Sequence, residues 1–113
     1  MNRAKVYVTQ EVTTANYGPA EEWGEVTFLC VSEVSNVPNS LHNAKLVHTI
    51  RERLVDFDPD TDFIAPSGSP VITGLVFAIL RERTTKFSVL KWNSRDGAYS
   101  CIKIDVKGEG RVY

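Results

Sequence analysis

Hydrophobic and polar positions alternate at the start of the chain. From Lys5 to Val12, Val6 and Val8 alternate with Tyr7 and Thr9 in a β-branched and aromatic run that predicts a strand. Residues 13–20 are small and polar around Gly18-Pro19, which predicts a loop. A second strand is expected over 25–32, where the unbroken run Phe28-Leu29-Cys30-Val31 suits a strand covered on both faces. After Pro38, Asn39 or Ser40 can cap a helix over 40–55, with Leu41, Ala44, Val47, Ile50 and Leu54 spaced three and four apart along one face. Asp56 to Asp60 forms a turn, residues 61–65 a short strand, and Pro66-Ser67-Gly68-Ser69-Pro70 ends it. Ser69 as cap and Pro70 as first residue then start a second helix over 70–83. That helix is apolar almost all round, so it needs cover on more than one side, from the domain itself or from a second subunit. Strands over 86–92 and 99–106 close as an antiparallel hairpin about a turn at 93–97, and residues 107–113 are expected to form a flexible tail.

The resulting order, β-β-α-β-α-β-β, predicts an α/β fold: a small Rossmann-like sheet of about five strands with two helices. Strand–helix–strand crossovers are almost always right-handed, so the second, third and fourth strands should run parallel, with the second paired directly to the third. One domain over residues 1–106 accounts for all of it.

Composition narrows the function more than the fold. A chain of 113 residues with net charge -1 lacks the basic excess of a non-specific nucleic-acid binder. Its longest apolar run, Val71 to Leu80, is too short to cross a bilayer, and the N-terminus does not read as a signal peptide, so a cytoplasmic protein is expected. The basic residues Arg51, Arg53, Arg81 and Arg83 fall near helix C-termini, where cations suit the helix dipole. Cys30 and Cys101 sit inside apolar runs and are expected as reduced core thiols. With two dispersed histidines they make no metal-ligand set, and no cofactor motif is present. Asp56, Asp58, Asp60 and Asp62 alternate, but Pro59 interrupts them and the glycine and terminal glutamate of a calcium loop are missing. No catalytic constellation stands out, so a binding role is favoured over an enzyme.

Candidate chemistry concentrates at the loop 66–70. A strand feeding small residues into a helix start gathers backbone N–H groups that can bind an anion without a charged side chain. Ser67 and Ser69 add hydroxyls, and Gly68 permits close backbone approach; each also suits an ordinary βα turn. Ligands of open parallel sheets bind beyond the carboxyl ends of the strands, where Asn39, His42, Asn93 and Arg95 are also expected. The predicted ligand site is therefore Ser67, Gly68, Ser69, Arg95, Asn39, His42 and Asn93.

The runs NSLHN, DFDPDTDFIAPSGSP and LKWNSRD, with the apolar helix between the last two, resemble small phage and prophage proteins of unknown function. That resemblance spans Asn39 to Asp96 and implies an accessory or anti-defence role against a host. The βα loop is also similar in style to Rossmann-like nucleotide-sensing domains of prokaryotic antiviral defence, a likeness of fold alone. Three functions follow: non-enzymatic binding of a small anionic ligand such as a nucleotide or nucleotide-derived signal; a protein–protein module that inhibits a host factor; or, least favoured, a small phosphoryl-handling enzyme. The apolar second helix also predicts a homo-oligomer, most simply a dimer.

Overall fold

Val6, Tyr7 and Val8 are all buried, which places the first strand in the middle of the sheet. A computed structural model describes residues 3–107; the predicted tail beyond Lys107 lies outside the described residues. The strands are β1 (Lys5–Val8), β2 (Glu25–Phe28), β3 (Phe63–Ala65), β4 (Lys86–Asn93) and β5 (Ala98–Asp105), with helices α1 (Leu41–Arg53) and α2 (Pro70–Leu80). They form a five-stranded sheet in the order β2-β1-β3-β4-β5. Its first four members are parallel and β5 returns antiparallel to β4.

The parallel directions agree with the sequence reading, but the expected direct pairing of β2 with β3 does not occur. β1 lies between them, with Val6 opposite both Val26 and Phe63. Handedness explains the layers. The chain steps one way along the sheet from β2 to β3 to β4, so α1 and α2 cover the same face. It steps the other way from β1 to β2, so that connection, with a 3₁₀ helix at Gly18–Glu22, covers the opposite face. Pro19 at the start of that short helix supplies the fixed φ it needs.

Two apolar layers result. Beneath the helices, Tyr7, Ile64 and Phe87 of the sheet pack with Leu46 and Ile50 of α1, its C-cap Leu54, and Ile72, Val76 and Leu80 of α2. On the other face, Val6, Val8, Ala65 and Leu90 meet Ala20, Tyr17 and Trp23 of the 9–24 segment. Tyr17 and Trp23 are thus half-buried, edge-on to Phe28 and Phe63. The face of α1 is also rotated from the expected one: Leu46, Ile50 and Leu54 are buried, whereas Leu41 and Ala44 are exposed. Ser40 and Ser69 do cap the two helices, accepting from His42 N and Asn43 N and from Val71 N respectively.

The C-terminal ends of the two helices are tied by arginines. Arg83 donates to the carbonyls of Leu54 and Val55 just past α1, Arg53 donates to Phe28 O, and Arg51 pairs with Glu82. The repeated Arg-Glu-Arg triplets therefore fasten α1 to its neighbours. The thiols differ. Cys30 is buried and burial pushes its thiol up, whereas Cys101 is half-exposed on β5. A thiol reagent at neutral pH should label one cysteine per native chain, Cys101, and reach Cys30 only when the chain opens. Equal labelling rates for the two, followed by peptide mass spectrometry, would contradict this placement.

Candidate functional site

The strand order reverses between β1 and β3, because the chain leaves β1 towards β2 and leaves β3 towards β4. At such a point the loops beyond the carboxyl ends diverge and leave a crevice. Here Thr9 and Gln10, after β1, stay joined to the loop after Ala65, and the hairpin end of β4 and β5 rises beside them.

The Ser67-Gly68-Ser69 loop is built by contacts with the residues that follow β1. Thr9 Oγ1 donates to Ser67 O and accepts from Ser67 N, both at 2.8 Å. Gln10, buried at 3% exposure, accepts from Ser69 N through Oε1 at 2.6 Å. Its Nε2 donates to Ser32 O at 3.1 Å and to Glu33 Oε1 at 2.8 Å. Gly68 has a φ of 77°, in the left-handed region, and a Cβ there would lie 2.0 Å from Gln10 Oε1. The close approach that Gly68 permits is therefore to Gln10. Two of the loop's N–H donors are already held by protein oxygens, and the carboxylate of Glu33 stands behind Gln10. An anion at this loop would have to displace that side chain.

The other predicted residues are distributed along the same edge. His42 Nε2 lies 2.6 Å from Glu33 O, so a line of contacts runs from α1 through Glu33 and Gln10 to Ser69. Asn39 takes a positive φ of 57° just before the Ser40 cap and is exposed. Asn93 Nδ2 donates to Ser100 Oγ at 2.6 Å across the hairpin, and Arg95 is exposed in its turn. The Ser67 Oγ lies 2.9 Å from the hydroxyl of Tyr17.

That hydroxyl pair forms the floor of a cleft of about 330 Å³ lined by Ala15, Asn16, Tyr17, Pro66, Ser67, Trp92 and Tyr99. Tyr17 is fixed there because its hydroxyl also accepts from Val12 N at 2.7 Å. Trp92 and Tyr99, cross-strand partners on β4 and β5, meet edge-to-face with ring centroids 5.0 Å apart. Burial pushes the Tyr99 phenol up, and nearby Tyr17 adds to it, so Tyr99 stays a neutral donor at physiological pH. Trp92 keeps 43% of its surface exposed, unusual for so large an apolar ring. An aromatic wall with a few hydroxyls and an amide suits a small planar ligand.

Among the residues lining this cleft, only Ser67 belongs to the predicted ligand site. Gln10 and Glu33 were missed because a polar residue after a strand looks the same whether it turns outward or inward. Trp92 and Tyr99 carried a usable signal: opposite large aromatics at the mouth of a hairpin.

A family model described as phage Pam3 gp32-like protein matches residues 4–106. The chain belongs to the phage Pam3 gp32-like protein family. The match runs from just before β1 to just past β5, so every wall of the cleft falls within the phage Pam3 gp32-like region. The resemblance to small phage proteins thus holds over more of the chain than the Asn39–Asp96 stretch that suggested it. No curated protein and no solved structure matched the chain. Among the described residues, no helix is long and apolar enough to cross a membrane, and no three His, Cys, Asp or Glu side chains gather to hold a metal.

Proposed function

We propose that this phage-encoded protein is a non-enzymatic binding protein for a small planar anionic ligand of the nucleotide class, acting as a homodimer in the host cytoplasm. The observation that carries the reading is the aromatic cleft beyond the carboxyl ends of β3 and β4. A base would stack against Trp92 and Tyr99, with Ser67, Tyr17 and Asn16 offering directional hydrogen bonds. The phosphate would lie outside, towards the hairpin, where the Arg95 guanidinium can grip two oxygens at once. This moves the charged part of the ligand away from the Ser67-Gly68-Ser69 backbone, whose donors serve Thr9 and Gln10.

The test uses the protein's own fluorescence. Trp23→Phe leaves Trp92 as the sole tryptophan and keeps a ring against Phe63. Titration with mono-, di- and cyclic nucleotides should give saturable quenching and a raised melting temperature. Trp92→Ala should weaken binding by about 1–3 kcal/mol, the usual worth of one stacked base. Arg95→Ala should weaken phosphorylated ligands by about 1.5–3 kcal/mol and leave nucleosides unchanged. Asp58→Ala, at the opposite edge of the sheet, should have no effect on binding. If no nucleotide alters either signal, the ligand reading fails, and a protein-binding module that inhibits a host factor becomes the better account.

A further inference from the structure

β5 is the outer strand on one side of the sheet, eight residues long and exposed at most positions. Its pairing fixes which groups face outward. Val106 N donates to Thr85 O at 2.9 Å, and the register places Ile104 opposite Phe87 and Ile102 opposite Val89. Backbone groups of the even residues therefore point at β4, and those of Cys101, Lys103 and Asp105 point away from the sheet. Side chains also alternate: Ile102, Ile104 and Val106 lie on the helical face, Lys103 and Asp105 on the other. The three apolar residues are 39%, 46% and 52% exposed. Ile104 and Val106 continue into an apolar groove of about 550 Å³ walled by Phe77 and Ala78 of α2 and floored by Phe87 and Val89. The 9–24 segment cannot cover this groove, because it packs on the opposite face.

We propose that this edge pairs with β5 of a second copy, antiparallel across a two-fold axis through Ile104, joining two sheets into one. Charge chooses the register. Only pairings that set odd residues against odd residues engage the outward backbone groups. An axis at Lys103 would place two lysines directly opposite one another, which is unfavourable. An axis at Ile104 sets Lys103 against the second copy's Asp105, twice by symmetry, with the exposed Ile104 side chains meeting at the axis and Ile102 opposite the second copy's Val106. The Asp105 carboxyl is held below its ordinary value, chiefly by the Lys107 backbone N–H and the Thr85 hydroxyl, so it carries its charge at neutral pH. The apolar grooves of the two copies then adjoin on one face of the joined sheet. This inference rests on the dimer reading above and is independent of the ligand.

Cross-linking reads the register directly. In a Cys101→Ser background, Ile104→Cys places two thiols at a non-hydrogen-bonded pair, within disulfide reach. Mild oxidation should convert native Ile104→Cys protein to a covalent dimer, while Ile102→Cys and Lys103→Cys stay mostly monomeric. Lys103→Glu should weaken self-association roughly tenfold, as should Asp105→Lys, and mixing the two variants should restore dimers. Thermal melts of each variant separate loss of pairing from loss of fold. A protein of twice the monomer mass that cross-links at Lys103 and not Ile104 overturns the register and leaves the dimer standing. A monomer by light scattering at high micromolar concentration overturns both.

Discussion

Gly68→Val should destabilise the native chain by about 2–4 kcal/mol, from backbone strain together with a lost buried hydrogen bond. The φ of 77° is one that a β-branched residue adopts only under strain, and the new Cβ would meet the Gln10 amide at 2.0 Å. Gln10 cannot swing aside cheaply, since it is buried and holds Ser69 N, Ser32 O and Glu33 at once. In a domain of this size the loss corresponds to a fall in melting temperature of roughly 10–25 °C. A double-mutant cycle tells strain from collision. With Gln10→Ala the two closest contacts disappear, leaving the strain and a 3.0 Å approach to the Cβ of residue 10, so the two changes should couple by about 1–2 kcal/mol. Simple additivity would mean that Gln10 moves freely and does not fill the loop. The same result bears on ligand studies: loss of binding in a Gly68 variant would report damage to the fold, which is why Trp92 and Arg95 carry the binding test.

Asp62→Ala should cost a similar amount, about 2–4 kcal/mol, because it leaves buried donors without acceptors. The Asp62 carboxylate is 5% exposed. One oxygen accepts from Lys5 N at 2.9 Å and from the Thr61 hydroxyl at 3.3 Å, and the other accepts from Asp58 N at 2.9 Å. It thus fastens the start of the central strand to the turn that delivers its neighbour β3. Asp62→Asn should recover only part of the loss, since one acceptor becomes an NH₂ group facing a donor. Urea unfolding with an unchanged slope would attribute the change to stability. An effect of Asp62→Ala within about 0.5 kcal/mol, the range of ordinary surface substitutions, would show that the carboxylate is replaceable by water.

Local chemistry was legible in the sequence where one residue determines one contact. Ser69 was readable as a cap and Ser40 as one of two candidates with Asn39, and Pro70 could start α2 because its missing N–H is not needed there. The hairpin followed from the turn residues Asn93 to Gly97 between two strand-like runs. Sheet order was less accessible: right-handed crossovers fix the face on which a helix lies, yet allow β1 either inside or outside β2. Burial of Val6, Tyr7 and Val8 decides it, and alternation in sequence suggested a strand wet on one side. β1 and β2 also end about four residues earlier than expected; after β1, Thr9 and Gln10 turn to hold the next loop. As for the site, residue types placed the edge of the sheet correctly, while the cleft depends on Tyr17, Trp92 and Tyr99, brought together from three separate segments.

The central position of β1 also bears on how the chain assembles during synthesis. The first strand made needs two flanking strands, and the second of these, β3, ends at Ala65. A nascent chain that has emerged only as far as α1 therefore has a two-stranded parallel pair with one open side and no α2 to close the helical layer. Such a pair lacks the third strand or packed layer that a sheet needs to stand alone. The hairpin of β4 and β5 is contiguous in sequence, but it docks only when β3 is in place. Folding should thus wait until most of the chain has left the ribosome, and then proceed as a single late event.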